Sequence, residues 1–377
     1  MLILLCYSID AQQKTVVLVV SKIDPIGIPR QKDWRLVTNP CLKNLFTVNN
    51  TSCKEVIFLS VRIGVPRGMY FYKFYPFTKR FLTELGAEVV PSPPTNKEIL
   101  DLGSRYCIDD ACLPVKVYHG HVEHLKDKVD YMLIPRLTSI VPKEYICPKF
   151  GGLPEMVKYS IEGLPKLIDV EINMYKSRKN LINALYRVGN MFTKNPYRIK
   201  RAADKATREQ MIYDNGLLKG ELPSKYIDET DMPRSKTSPL IGIATHPYLL
   251  YDNFINMNLL KKLSNKGIKF FLPEMLEKKI IEEKCKIFEK RMFWSSGKDL
   301  IGSALYMMEN SKIDGVLMLT SFACGIDSLS IDLIQRLGRK KSSKPFMVIT
   351  LDEHTGDANF NTRLEAFLDL IDRRKAN

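Results

Sequence analysis

The feature that most constrains this chain is a pattern of apolar strands and amphipathic helices that occurs twice. The stretch "RIGVPRGMYFYKFYPFTKRFLTELGAEVV" (62–90) matches "LIGIATHPYLLYDNFINMNLLKKLSNKGIKFF" (240–271) in its order of apolar, turn and charged residues. "VDYMLIPRLTS" matches "IDGVLMLTSFA" in the same way. The matching strands begin 67 residues apart in the first copy (62 to 129) and 73 apart in the second (240 to 313). β-Branched apolar runs that alternate with apolar residues at helical spacing read as parallel strands joined by helical crossovers. The expected fold class is α/β: two Rossmann-like lobes with mostly parallel sheets plus a helical connecting segment. Residues 58–150 form the first lobe, 151–238 a basic helical connecting segment and 239–377 the second lobe. Residues 1–57 show no clear period and read as an atypical N-terminal extension.

Local signals refine this frame. "YFYKFYPFTKRFLTELG" reads as a helix closing at Gly86. "TNKEILDLGSRY" opens with a Thr95–Glu98 capping box, and Pro114 marks the start of the helix in "CLPVKVYHGHVEHLKDK". "VDYMLIPRL" reads as one strand, and "MLEKKIIEEKCKIFEKRMF" as one helix. "ELPSKYIDETDMPRSKTSP" (221–239) reads as a loop.

With 45% hydrophobic residues among 377, the chain can bury sizeable cores. No apolar run nears the roughly 18 residues of a membrane span. The opening "MLILLCYS" lacks a basic n-region, so no signal peptide, no membrane partner and a cytoplasmic location are expected. The net charge of +15 admits an anionic partner. Residues 172–203 hold eight basic residues, from Lys176 to Arg201, and no acid. They read either as a solvated helical face or as a docking surface for phosphate or a partner. Aromatics are too sparse there for base stacking, so no nucleic-acid partner is expected.

Eight cysteines are present: Cys6, Cys41, Cys53, Cys107, Cys112, Cys147, Cys285 and Cys324. A long chain without a secretory signal does not suggest a disulfide framework. No CxxC pair occurs, which removes the zinc-ribbon and ferredoxin spacings. Cys112, Cys147 and Cys324 each fall at the end of an element beside a turn-former, Pro114, Pro148 and Gly325. A metal ligand requires such a short rigid loop, although a free cysteine also fills cores well. Thiolates favour iron–sulfur clusters or zinc. Cys107, five residues before Cys112, is the alternative fourth ligand.

Other groups stand at strand ends. "LDEHTGDANFNTRLEAF" carries Asp352, Glu353, His354, Asp357, Arg363 and Glu365 at the carboxyl edge of a sheet, where ligands bind in open α/β folds. It reads either as a proton-transfer site, with His354 as the acid–base group, or as a helix cap at Asn361 or Thr362 with an Arg–Glu pair. In "VYHGHVEH", His121 and His124 at i, i+3 suit a zinc pair or a polar helix face that also carries His119. His246 either approaches the cysteines or caps a turn. Arg67 and Arg136 end strands and suit an anion or a carboxylate. Lys116, one helical turn after Cys112, suits stabilisation of cluster charge.

The stretches "IGVPRGMYFYKFYPFTKRFLTELGAEVVPSPPTNKEILDLG", "DDACLPVKVYHGHV", "DYMLIPR", "EYICPKFGGLP", "HPYLLYDNFINMNLLKKL", "SFACGIDSL" and "LDEHTGDANFNTRLEAF" resemble proteins related to activases of 2-hydroxyacyl-CoA dehydratases. That module occurs alone or fused behind an activase domain in anaerobes. It is distantly similar to dehydratase subunits and to double-cubane cluster proteins. The resemblance spans roughly residues 59–375. It implies a [4Fe-4S] or related cubane-type iron–sulfur cluster between α/β lobes. Cys112, Cys147 and Cys324 are its implied metal ligands, with Lys116 and Gly325, read from their places beside those cysteines, as candidate cofactor contacts. Glu353, His354 and Arg363 of the polar loop are the candidate catalytic groups. The implied function is to accept and pass a low-potential electron. One alternative is an acyl-CoA dehydratase or reductase, a lyase or oxidoreductase acting directly on a CoA thioester. Another is a non-redox anion-binding module. The chain contains no GxxxxGK[ST], so ATP hydrolysis falls to a partner, an ATP-dependent activase or other electron donor. An acyl-CoA is the candidate small-molecule partner, and a homodimer sharing the cluster would leave the same sequence trace.

Overall fold

The computed structural model describes residues 60–228 and 239–376, together with backbone strands at 3–10, 15–21 and 35–37. Those strands, β1 (Ile3–Asp10), β2 (Thr15–Ser21) and β3 (Arg35–Val37), pair antiparallel in that order. They belong to a separate unit, residues 1–60. The rest of the expected extension, and most of the expected loop at 221–239, lie outside the described residues. Sequence periodicity missed β1 and β2 because "ILLCYSID" and "TVVLVVS" are short, nearly continuous apolar runs that do not alternate.

The remaining chain, 61–377, is one unit. The first lobe contains β4 (Arg62–Val65), α1 (Phe71–Glu84), β5 (Glu88–Pro91), α2 (Lys97–Tyr106), α3 (Leu113–Leu125), β6 (Tyr131–Leu133), β7 (Arg136–Ser139), α4 (Pro148–Ser160), β8 (Lys166–Ile168) and β9 (Glu171–Asn173). Helices α5 (Lys179–Gly189), α6 (Pro196–Leu218) and α7 (Pro223–Ile227) follow. The second lobe contains β10 (Leu240–Ala244), α8 (Pro247–Leu250), α9 (Leu259–Asn265), β11 (Lys269–Phe271), α10 (Lys278–Lys284), α11 (Ser295–Glu309), β12 (Gly315–Ser321), α12 (Gly325–Lys341), β13 (Phe346–Leu351) and α13 (Asp357–Ala376).

The repeat is visible in the topology. Both lobes carry a four-stranded, all-parallel sheet, with order β5-β4-β6-β8 in the first and β11-β10-β12-β13 in the second. In each, the order reverses between the first and third strands, which opens a crevice beyond their carboxyl ends. One apolar core takes residues from both lobes, among them Phe150, Tyr248, Leu317 and Phe360.

Several local expectations change. The segment 151–238 is not only helical: β8 supplies the first sheet's fourth strand, and β9 pairs with β7. Three-residue strands are too short to show alternation. "VDYMLIPRL" splits into β6 and β7 around Pro135, which has no amide to donate to a ladder. Asn96, not Thr95, caps α2, accepting from the Ile99 amide at 2.9 Å, while Thr95 turns its hydroxyl to Asp252. Leu85 is the C-cap of α1, and Gly86 follows it with φ +95°, the left-handed position glycine favours. The long helix expected over 275–293 is α-helical only over Lys278–Lys284 and tightens into a 3-10 turn at Cys285–Ile287, although Phe288 and Met292 beyond it still pack on the core.

Helices α2 and α3 pack through Gly103 and Gly120. A Cβ on Gly120 would lie 1.9 Å from the Ile99 carbonyl oxygen, and one on Gly103 would lie 2.0 Å from that of Lys116. This backbone-to-backbone contact fixes where α3 begins, and α3 begins at a cysteine.

Candidate metal centre

Three helices start on a cysteine. Cys112 is the N-cap of α3, Cys147 of α4 and Cys324 of α12. No side chain caps any of the three, so each thiol stands where a capping oxygen would otherwise satisfy the open amides of the first turn. Pro114 and Pro148 preset the helical φ of α3 and α4. Gly325 opens α12, and no heavy atom lies within 4 Å of where its Cβ would be.

Two of the three thiols respond to the others. Burial pushes the Cys147 thiol up, and Cys112 adds to that against the donating amide of Lys149. Burial also raises Cys324, followed by the Asp327 carboxylate; Cys112 and Cys147 add to it, while the Asp327 amide opposes. Among the described residues no group of three or more His, Cys, Asp or Glu side chains is arranged to hold one metal ion. This disfavours a single zinc and does not bear on a cluster, whose thiolates bind different irons and stand farther apart than ligands of a single ion.

Aromatic rings enclose the site. Tyr70 and Phe150 have centroids 4.5 Å apart, and Tyr248 lies 6.4 Å from each. Burial raises Tyr70, then Asp299 and Cys147; burial raises Tyr248, then Asp327 and Cys324. His246 stacks on Tyr248 at 5.0 Å and meets buried Asp327 through Nε2 at 2.8 Å.

Two ion pairs join the lobes here. Lys116, 4% exposed, donates to Glu353 Oε1 at 2.5 Å. Burial works upward on Glu353, but the Lys116 hydrogen bond and charge outweigh it and hold the carboxyl below its ordinary value. Glu144, 0% exposed, accepts from Lys298 at 2.7 Å and from Arg291 at 2.7 Å. Beside it the Tyr145 amide donates to Phe293 O at 3.0 Å, and the Ser295 amide donates to Tyr145 O at 2.8 Å. This strap leads directly into Cys147. A cavity of about 380 Å³ adjoins the rings, lined by Tyr70, Lys73, Thr245, His246, Glu274 and Ser296. The buried Thr245 hydroxyl on its wall has no partner.

The other expected residues are placed as follows. Cys107 is the C-cap of α2, and its thiol is pushed up to about 11, first by burial, with Cys112 a smaller contributor. Cys285 is pushed up to about 11 by burial and donates to Lys298 O at 3.5 Å. Cys41 and Cys53 lie outside the described residues. His354 is exposed, and only its amide is engaged, by Asp352 at 3.0 Å. Arg363 is exposed and donates to Val348 O at 2.7 Å, so of the three expected catalytic groups Glu353 alone is tied to Lys116. The expected Arg363–Glu365 pair is replaced by Lys266–Glu365 at 3.6 Å. The histidines diverge. His119 meets Val115 O, His121 meets Thr95, and His124 accepts from Lys128. Arg67 forks onto Asp228 at 2.8 and 3.1 Å, and Arg136 pairs with Glu155. The basic run at 172–203 is exposed on and around α5 and α6. Among the described residues no helix is long and apolar enough to cross a membrane.

Sequence reasoning missed Tyr70, Tyr248, Asp327 and Glu144. Asp327 had a usable signal as an acid in the first turn of a helix. Tyr70 and Tyr248 follow equivalent strands by five and four residues, which the repeat could have flagged. Glu144 had none, because its partners lie 147 and 154 residues away.

The family model described as CoA enzyme activase uncharacterised domain (DUF2229) matches residues 62–276. The match takes in Cys112 and Cys147 and ends before Cys324. No curated protein matches the chain.

Proposed function

The chain belongs to the CoA enzyme activase uncharacterised domain family, and from that premise we propose that it is an iron–sulfur protein of the 2-hydroxyacyl-CoA dehydratase and activase system that accepts and passes a low-potential electron. The observation carrying this reading is that Cys112, Cys147 and Cys324 each start a helix and pack in or against one core, with Cys112 acting on the other two thiols and Cys147 on Cys324. A [4Fe-4S] or related cubane-type cluster would supply one-electron chemistry at low potential when bound. The donor set suits it, being three soft thiols, and no single-ion arrangement is present among the described residues.

The chain's own residues would act in four ways. Cys112, Cys147 and Cys324 would hold the cluster. The amides of Lys149 and Asp327 donate to two of the sulfurs and favour their thiolate form, helped by the positive ends of α4 and α12. Tyr70, Phe150 and Tyr248 exclude water from one side. Lys116 brings positive charge one turn from Cys112. The electron would come from an ATP-dependent activase or another donor, in a reducing cytoplasm.

The test is anaerobic reconstitution. The expected product is brown, carries about four irons and four sulfides per chain and absorbs broadly near 400 nm. Cys324→Ala should lose most of the iron and Cys285→Ala none. Colourless, iron-free protein would refute the reading and favour an anion-binding module on the basic face of α5 and α6. One observation favours a second reading, in which the protein itself dehydrates or reduces an acyl-CoA. The cavity beside Tyr70 and His246, with the partnerless Thr245 hydroxyl, has the size of a small-ligand site. Turnover of an acyl-CoA by the reduced protein alone would establish it.

A further inference from the structure

Helix α11 holds in the second lobe the place that α3 holds in the first, since each is the last crossover helix before the third strand. The two align residue by residue. Lys116 comes four residues after the N-cap Cys112, and Lys298 four residues after the N-cap Trp294. Both lysines are buried, at 4% and 7% exposure, and each reaches a carboxylate of the opposite lobe, Glu353 or Glu144. Four residues further on, Gly120 and Gly302 each press on the preceding helix. Their Cβ atoms would lie 1.9 Å from Ile99 O and 2.6 Å from Ile281 Cγ2. This register sets Trp294 where the first lobe has Cys112. By the same repeat α4 and α12, each following a third strand, start at Cys147 and Cys324. Of four equivalent helix starts, three carry a thiol and the fourth carries Trp294.

The fourth start touches the neighbourhood of two of the others. The Ser295 amide donates to the carbonyl of Tyr145, two residues before Cys147, at 2.8 Å. Gly297 faces α12, where its Cβ would stand 3.3 Å from Ile326, two residues after Cys324. Two buried polar atoms at this start have no partner: Trp294 Nε1 and the Oγ of Ser295, a residue 2% exposed. No side chain caps α11. Native folds rarely leave buried donors unsatisfied, so two together point to an acceptor that the site receives.

We propose that the start of α11 is the fourth corner of the cysteine site, and that Trp294 Nε1–H and Ser295 Oγ–H donate hydrogen bonds to the group the three thiols hold. The indole can only donate, so this corner presents donors where the other three present sulfur. The acceptor is a sulfide or oxygen of the bound group. That this group is an iron–sulfur cluster rests on the reading above; that residues 294 and 295 face the cysteines does not.

Two measurements separate these claims. Position is tested on the full, iron-free chain carrying Trp294→Cys or Ser295→Cys, oxidised with copper–phenanthroline and mapped by peptide mass. At least one variant should form a disulfide with Cys112, Cys147 or Cys324. If both variants keep the wild-type circular dichroism and neither cross-links to those cysteines, the corner is wrong. The donor role is tested on reconstituted protein with Trp294→Phe and Ser295→Ala. Each should release iron to a chelator about 2- to 10-fold faster than wild type, the range a single net hydrogen bond supports. Unchanged release rates would overturn the donor role. A wild-type chain that takes up no iron would sink the iron–sulfur reading and the donor role with it, while the cross-link result would still decide the position.

Discussion

In the first lobe the third strand, β6, has three residues and stops before Pro135, whereas its counterpart β12 in the second lobe has seven residues, all buried. The two cysteines that follow are therefore held differently. Cys324 comes three residues beyond the end of β12, on a loop fixed by a strand paired on both sides. Cys147 comes only after β7 and an intervening strap, which returns to β7 through the Ile146 amide on Thr138 O at 3.2 Å. The second lobe adds a further hold: Lys298 and Arg291 clamp Glu144, and backbone bonds join Tyr145 to 293–295. The duplication thus carries the fold, while the anchoring of the chemistry had to be solved separately in each half.

The sharpest way to break this comparison is at Glu144. Glu144→Ala leaves the buried Lys298 ammonium without its nearest carboxylate, and removing one partner of a buried pair costs about 3–5 kcal/mol. The loss should appear in chemical denaturation, and iron retention should fall with it. If the variant is as stable as wild type, the clamp is not what holds the strap.

A second buried carboxylate stands at the lobe boundary without an ion-pair partner. Asp252 accepts from Thr95 and from the amides of Phe254 and Ile255, with no cation bonded to it, and burial pushes it up to about 6 from an ordinary 3.8. Between those two pH values the folded chain keeps a proton that the unfolded chain has released. Stability attributable to this group therefore falls as pH rises through that window, by roughly 3 kcal/mol for a shift of about two units. Asp252→Asn, which cannot ionise, should lack that component of the slope in denaturation curves taken between pH 4 and 6. Parallel pH dependences for the two proteins would contradict the assignment.

How much of this was legible depends on how local the causes are. The two lobes could be read because β12 and its counterparts are written in apolar residues, and that periodicity is local. The three helix-starting cysteines could be singled out because Pro114, Pro148 and Gly325 stand beside them. The cap of α2 was misread because Asp252, 157 residues away, takes the Thr95 hydroxyl. His354 and Arg363 looked like a site because polar residues cluster at a sheet edge. Sequence does not say which way such a loop faces, and both side chains face solvent. Strand β8 could not be seen because "KLI" is too short to show a period.

The paired glycines sharpen the comparison at intermediate scale. An alanine at Gly120 would drive its Cβ into the Ile99 carbonyl oxygen, a backbone atom that cannot step aside. At Gly302 the nearest obstacle is the Ile281 side chain at 2.6 Å, with the backbone oxygen at 2.8 Å. Overpacking of this kind costs about 1–3 kcal/mol. Gly120→Ala should fall at or above the top of that range and Gly302→Ala nearer its bottom, as shifts in denaturation midpoint. The reverse order would mean that α10 and α11 are the more rigid pair.

The smallest effect is expected at the Lys116–Glu353 ion pair, although Lys116 and Lys298 occupy the same register. The side chain of Glu353 is 21% exposed, against 0% for Glu144. When Lys116→Met removes the ammonium, water can solvate the carboxylate that remains, and the methionine stem keeps the packing of the lysine chain. The cost should therefore be near 1 kcal/mol, as for exposed pairs, rather than the 3–5 expected at Glu144. A measured loss as large as that of Glu144→Ala would mean that both lobes are clamped alike and that the long strand β12 does not by itself secure the loop of Cys324.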